Sequence, residues 1–314
     1  MPPGNLLMSL LRFRSHRSSI PFVITIALFA FQPARAQDDD VVRVDTDLVV
    51  LNVTVLDKDG QYVPKLKLSD FKVFEEGQEV PIKLITSFGA HESPFASVIL
   101  LDTSGSMESR MSLGRSAAIR FLDGLRPEDV AAVYNFDYRV EQVQDFSSAR
   151  DLAPMAFGLR AKGMTALYDA IIRAAESLSS RPEARKAIIV LSDGMDTQSK
   201  ASSGKALEAA MAIGAGIYAV DMSASAGESS RNMQTALLLK GFAEKSGGRF
   251  IATPGGPALR DAFASIAQEL GHQYTIAFRP ARQARDGRWR SLEVKLSRPD
   301  LTVRTRKGYR APKR

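Results

Sequence analysis

Val98-Ile99-Leu100-Leu101-Asp102-Thr103-Ser104-Gly105-Ser106 is an apolar run that ends in a carboxylate and two hydroxyls at alternate positions. A short apolar run closed by turn residues reads as a strand buried on both faces, as in a parallel sheet. Its polar end then belongs at the carboxyl edge of that sheet, where open α/β folds gather their ligands. Hard oxygen groups at i, i+2 and i+4, with Gly105 allowing a tight turn, suit a hard cation such as Mg2+.

Outward from this run the chain alternates strands and amphipathic helices. Further strands are predicted at Val130 to Phe136, Ala187 to Leu191, Gly216 to Val220 and Arg249 to Ala252, with an antiparallel edge strand at Arg139 to Val143. Helical spacing groups Ala117, Phe121 and Leu125 on one face, Leu167, Ile171, Ala174 and Leu178 on another, and Leu259, Phe263, Ile266 and Leu270 on a third. Residues 96–271 are therefore expected to form an α/β domain, a doubly wound and mostly parallel sheet.

The flanks follow a different period. Residues 41–93 hold the β-branched run Leu48 to Val55, the turn Asp57-Lys58-Asp59-Gly60, then Phe71 to Phe74 and Val80 to Ile85. After Gly271 the β pattern returns at Tyr274 to Phe278, Ser291 to Leu296 and Leu301 to Arg306. Neither block has enough strands to bury a core alone. Residues 41–93 and 272–311 are expected to form one small all-β sandwich into which the α/β domain is inserted.

Residues 1–36 read as a secretory signal peptide: Arg12, Arg14 and Arg17, an apolar run from Ile20 to Phe31, then Ala34-Arg35-Ala36 before the expected cut. That run is shorter than the roughly 20 residues that span a bilayer, so no transmembrane segment is expected in the mature chain. Residues 37–40, Gln37 to Asp40, form an acidic leader expected to be disordered. The chain has no cysteine, which excludes disulfides, a thiolate metal site and a Cys nucleophile. Loss of the signal removes four Arg and no acid, lowering the net charge from +7 to +3. Residues 279–314 carry 13 Lys and Arg against Asp286, Glu293 and Asp300. Without aromatic interleaving or a nucleic-acid motif, this basic end reads as a solvated strand face, and no nucleic-acid partner is expected.

Two further segments extend the first. Gly163-Met164-Thr165-Ala166-Leu167 places a hydroxyl just before a helix, and Ile188-Ile189-Val190-Leu191-Ser192-Asp193-Gly194 places a carboxylate at the end of a buried strand. With these the chain resembles the von Willebrand factor type A (VWA) family, which includes integrin inserted domains. That family's metal-ion-dependent adhesion site is Asp-x-Ser-x-Ser, a distant Thr and a distant Asp, in this order. The resemblance implies that Ser104, Ser106 and Thr165 are direct hydroxyl ligands. It implies that Asp102 and Asp193 act largely through water and hydrogen bonds. The cation would be Mg2+, or Mn2+ or Ca2+, with one position left for an Asp or Glu carboxylate of a protein ligand. The flanks resemble a family of exported VWFA-related proteins abundant in acidobacteria, through Leu68-Ser69-Asp70-Phe71-Lys72-Val73-Phe74-Glu75 and Arg306-Lys307-Gly308-Tyr309. A second, regulatory cation site is not expected, since Met107-Glu108-Ser109-Arg110 supplies only Glu108.

The expectation is an exported, periplasmic or extracellular binding protein without enzymatic activity. Two other readings stand beside it. A haloacid-dehalogenase type phosphatase needs a second Asp two residues after the first, where this chain has Ser104. A VWA partner subunit of an ATPase or chelatase-type complex conflicts with the export signal. His16 falls in the signal, and His91 and His272 sit at the seams of the inserted domain, so no Ser-His-Asp arrangement is evident. Ser202-Ser203-Gly204-Lys205 reads as a helix start.

Overall fold

In the computed structural model, which describes residues 48–89, 93–150, 164–193, 195–222 and 230–313, the apolar run Val98 to Leu101 lies inside β5 (Phe95–Asp102), buried along its whole length. The predicted signal and leader, His91, Gly163 and Gly194 lie outside the described residues.

β5 sits between β6 (Val130–Phe136) and β8 (Arg185–Ser192) and is parallel to both, with Val98 opposite Ala132 on one side and Ile188 on the other. Beyond β8 lie β9 (Ala215–Asp221) and β10 (Phe250–Ala252), also parallel. Beyond β6 lies β7 (Val140–Ser147), the expected antiparallel edge strand. The order is β10-β9-β8-β5-β6-β7. Successive side chains of a strand face opposite ways, and helices take up both faces. Val98 and Leu100 pack with α2 (Leu167–Ser179) and α3 (Ser203–Ala212). Ile99 and Leu101 pack with α1 (Met111–Asp123) and α5 (Pro257–His272).

A further helix, α4 (Ser230–Ser246), escapes the sequence reading. Its apolar residues do not keep to one stripe: Leu239 and Phe242 are buried while Met233 and Leu237 are exposed. Ser202 does start α3, its hydroxyl accepting from the Lys205 N–H at 3.4 Å.

The flanks pair as expected into two four-stranded sheets. One is ordered β13-β1-β11-β4, from β13 (Thr302–Arg304), β1 (Val49–Leu56), β11 (Tyr274–Phe278) and β4 (Ile85–Gly89). The other is ordered β14-β12-β2-β3, from β14 (Gly308–Arg310), β12 (Trp289–Leu296), β2 (Phe71–Glu75) and β3 (Gln78–Glu79). Their shared core holds Leu51, Val53, Phe71, Val73, Ile276, Phe278 and Leu292. β11 pairs antiparallel with both β1 and β4, so one of the two inner strands of the first sheet arrives only after the insertion.

Three details differ from expectation. Val80 to Ile85 is not a strand: Pro81 has no N–H to give a ladder, and Ile82–Leu84 is a 3₁₀ turn between β3 and β4. The last predicted strand shortens to β13, and β14 follows it. The basic end is not simply a solvated face, since Arg290 and Arg306 are buried.

Candidate metal centre

β5 and β8 are adjacent and parallel, so their carboxyl ends deliver Asp102 and Asp193 side by side. After Asp102, Thr103 clips the chain to β6, its N–H and Oγ1 both donating to the Phe136 carbonyl at 2.8 and 3.2 Å. The chain then turns back through Ser104 into a 3₁₀ turn over Gly105–Arg110.

That turn folds the predicted residues into a ring. The Ser104 N–H donates to Asp102 Oδ1 at 2.9 Å, the Ser104 and Ser106 hydroxyls lie 3.2 Å apart, and Ser106 Oγ donates to Asp193 Oδ1 at 2.7 Å. Ser192 Oγ donates to Asp102 Oδ2 at 2.5 Å, closing the ring. Thr165 joins differently. It lies just before α2 and is tied through its backbone to the loop after Asp193: its N–H donates to Thr197 Oγ1 at 2.9 Å, and its carbonyl accepts from the Thr197 and Gln198 N–H groups at 2.9 and 3.1 Å. Four of the five residues are thus linked by direct hydrogen bonds, and the fifth belongs to the same loop cluster. Asp102, Ser104, Thr165 and Asp193 are buried, while Ser106 is exposed at the mouth.

Two contributors lie outside the sequence reading. Ser192 ends an apolar strand as Asp102 does, and that position is its only signal. Arg110 Nη1 donates to Asp193 Oδ2 at 2.8 Å, a pairing that depends on the 3₁₀ turn and has no spacing signal.

The electrostatics are unequal. Asp193 has the Arg110 guanidinium, whereas Asp102 has no ion pair among the described residues. Burial pushes the Asp102 carboxyl up to about 6 from its ordinary 3.8, against hydrogen bonds from Ser104 and Ser192 that pull it down; the nearby Asp193 charge adds to the rise. A buried carboxylate without a countercharge, beside hydroxyl oxygens, fits the needs of a hard cation. Among the described residues there is no group of three or more His, Cys, Asp and Glu side chains able to hold a metal. The predicted donor set is of another kind, two carboxylates and three hydroxyls.

Residues 97–195 match the family model of the von Willebrand factor type A domain. No curated protein matches the sequence. Among solved structures, the PilB minor pilin from Streptococcus sanguinis is similar at 16% identity and a TM-score of 0.46, over 62% of this chain and 63% of that one. The chain therefore spans less than two thirds of the pilin's length. The ArnB paralog VWA2 from Sulfolobus acidocaldarius is similar at 15% identity and a TM-score of 0.45, over 85% of this chain and 76% of its own. Proximal thread matrix protein 1 from the mussel byssus, with a zinc-occupied MIDAS motif, is similar at 15% identity and a TM-score of 0.48, over 61% of this chain and 50% of its own. All five predicted oxygen donors fall within residues 97–195, the stretch that matches the von Willebrand factor type A domain model.

Proposed function

We propose that this chain is an exported, non-enzymatic binding protein of the adhesion type, which recognises an Asp or Glu carboxylate on a protein ligand through a Mg2+-type cation. Asp102, Ser104, Ser106, Thr165 and Asp193 would hold that cation. The observation that carries the reading is the Asp102 carboxylate, buried without an ion-pair partner among the described residues, in an oxygen-only ring at the carboxyl end of β5. When bound, the cation supplies positive charge and an open coordination position. The chain's own residues do the rest: Ser192 and the Ser104 N–H orient Asp102, Arg110 orients Asp193, and exposed Ser106 leaves the mouth open to a partner. Export is supported by the N-terminal pattern, and no helix among the described residues is long and apolar enough to cross a membrane. The absence of catalysis is supported by Ser104 standing where a phosphatase needs its acid. The test is affinity capture from envelope extract with the immobilised chain, in Mg2+ and in EDTA. Partners are expected to be retained only in Mg2+ and lost with Asp102→Ala. Equal capture in EDTA, or by Asp102→Ala, would place recognition on another surface.

A further inference from the structure

Arg306 sits just after β13 with its side chain 8% exposed. Its Nη1 donates to the Met211 carbonyl at 3.3 Å, its guanidinium lies 5.9 Å from the centre of the Tyr309 ring, and its Nε has no hydrogen-bond partner among the described residues. Among the described residues no carboxylate comes within ion-pair distance of it. Burial accordingly lowers its pKa to about 10, with only Tyr309 opposing. Arg290 is equally buried but is ringed by acceptors: Glu75 at 3.8 Å, Asp286 at 4.0 Å and the Ala284 carbonyl at 2.7 Å. A buried guanidinium without a countercharge is costly, and its planar fork matches carboxylate and phosphate oxygens.

Arg306 lines a cavity of about 200 Å3 together with Arg282, Arg310 and Leu48. This cavity shares Met211, Ala212, Arg310 and Pro312 with a groove of about 780 Å3 between α3 and the C-terminal segment. Leu207, Met211 and Trp289 give the groove its apolar wall, and Lys245, Lys307 and Lys313 line it with positive charge. Its acid, Glu208, is already paired with Arg310 at 3.1 Å. Trp289 is 44% exposed yet fixed, because its ring lies against Gly308 so closely that a Cβ there would come within 2.4 Å of Cζ2. A basic chamber thus opens into an apolar trough of the size that holds a small molecule.

We propose that this chamber and groove bind an anionic amphiphile, with its oxyanion headgroup at Arg306 and its single apolar chain along Met211, Leu207 and Trp289. The site shares no residue with the candidate metal centre and does not depend on it. Charge selects the headgroup and the trough selects the chain, so each half of the ligand alone should bind poorly.

Trp289 is the only tryptophan of the chain, so its fluorescence reports the groove directly. The full chain is titrated with monomeric dodecyl phosphate, dodecanol and inorganic phosphate. Dodecyl phosphate is expected to shift the emission to the blue and saturate, with the other two at least tenfold weaker. Arg306→Met is expected to weaken dodecyl phosphate at least tenfold while melting, without ligand, at the same temperature as wild type or higher. Dodecanol binding as tightly would overturn the anion site, and inorganic phosphate binding as tightly would overturn the apolar one. Unchanged affinity in Arg306→Met would remove Arg306 from the site. If that variant does not fold, Leu207→Glu decides: loss of dodecyl phosphate supports the trough, and retention overturns it.

Discussion

At the scale of the residue, Asp102 is buried without an ion-pair partner among the described residues. Its carboxyl, pushed up to about 6, keeps a proton in the folded chain at pH values where the unfolded chain, at 3.8, has lost it. Its contribution to stability is therefore present below about pH 4 and lost as pH rises through 6. Without divalent cation, Asp102→Asn should come close to wild type at pH 4 and exceed it at pH 7.5 by up to ~3 kcal/mol, since each pH unit between the folded and unfolded values is worth about 1.4 kcal/mol. Urea unfolding in EDTA at both pH values measures this, and a pH-independent difference would refute it. Asp102, Ser104, Ser106 and Asp193, which the structure links by hydrogen bonds, were legible because they follow the ends of apolar runs; Thr165 was picked out by its place just before a helix. Ser192 and Arg110 were not. A serine before a carboxylate is commonplace, and the Arg110–Asp193 pair joins residues 83 apart through a turn with no pattern of its own.

At the scale of the element, the strand ends do the positioning, and close backbone approaches keep them in register. Gly248, which leads into β10, shows how tight this is: a Cβ there would lie 2.0 Å from the Ile217 carbonyl oxygen in β9. Only a residue without a side chain lets these backbones meet. Gly248→Ala should cost upwards of ~2 kcal/mol, as overpacking against backbone does, with β9 and β10 opening first. Thermal melts with amide exchange on Ile217 to Val220 would show it, and a melting temperature within a degree of wild type would contradict it. The elements legible in sequence had one clean period, such as β5 or the Leu167-Ile171-Ala174-Leu178 face of α2. α4 mixes exposed and buried leucines, and the Val80 to Ile85 segment hides a proline between apolar residues, so period alone misreads both.

At the scale of the whole molecule, the inserted α/β domain and the sandwich are joined by a buried polar network. Glu269 of α5, fully buried, accepts from Thr54 in β1 at 3.2 Å and from Tyr218 in β9 at 2.9 Å, and pairs with Arg304 in β13 and with Arg249 at 3.5 Å. Gln273 adds donors to Thr54 and Tyr218 at 3.2 and 2.9 Å. The insertion itself was legible from the change of period at both seams. This network was not, because Thr54 and Glu269 are 215 residues apart and no local pattern announces their meeting. The carboxyl ends of β5 and β8 are held together by their own parallel ladder, which runs from Phe95 opposite Arg185 to Leu101 opposite Leu191 and needs no cation. Losing the cation should therefore cost binding and leave the fold. Calorimetric titration of the full chain with Mg2+ and Mn2+, beside Asp102→Ala and Thr165→Ala, tests this most directly. One cation site per chain is predicted, abolished by Asp102→Ala and weakened by Thr165→Ala, with circular dichroism unchanged in both. No cation binding by wild type, or equal binding by Asp102→Ala, would contradict it.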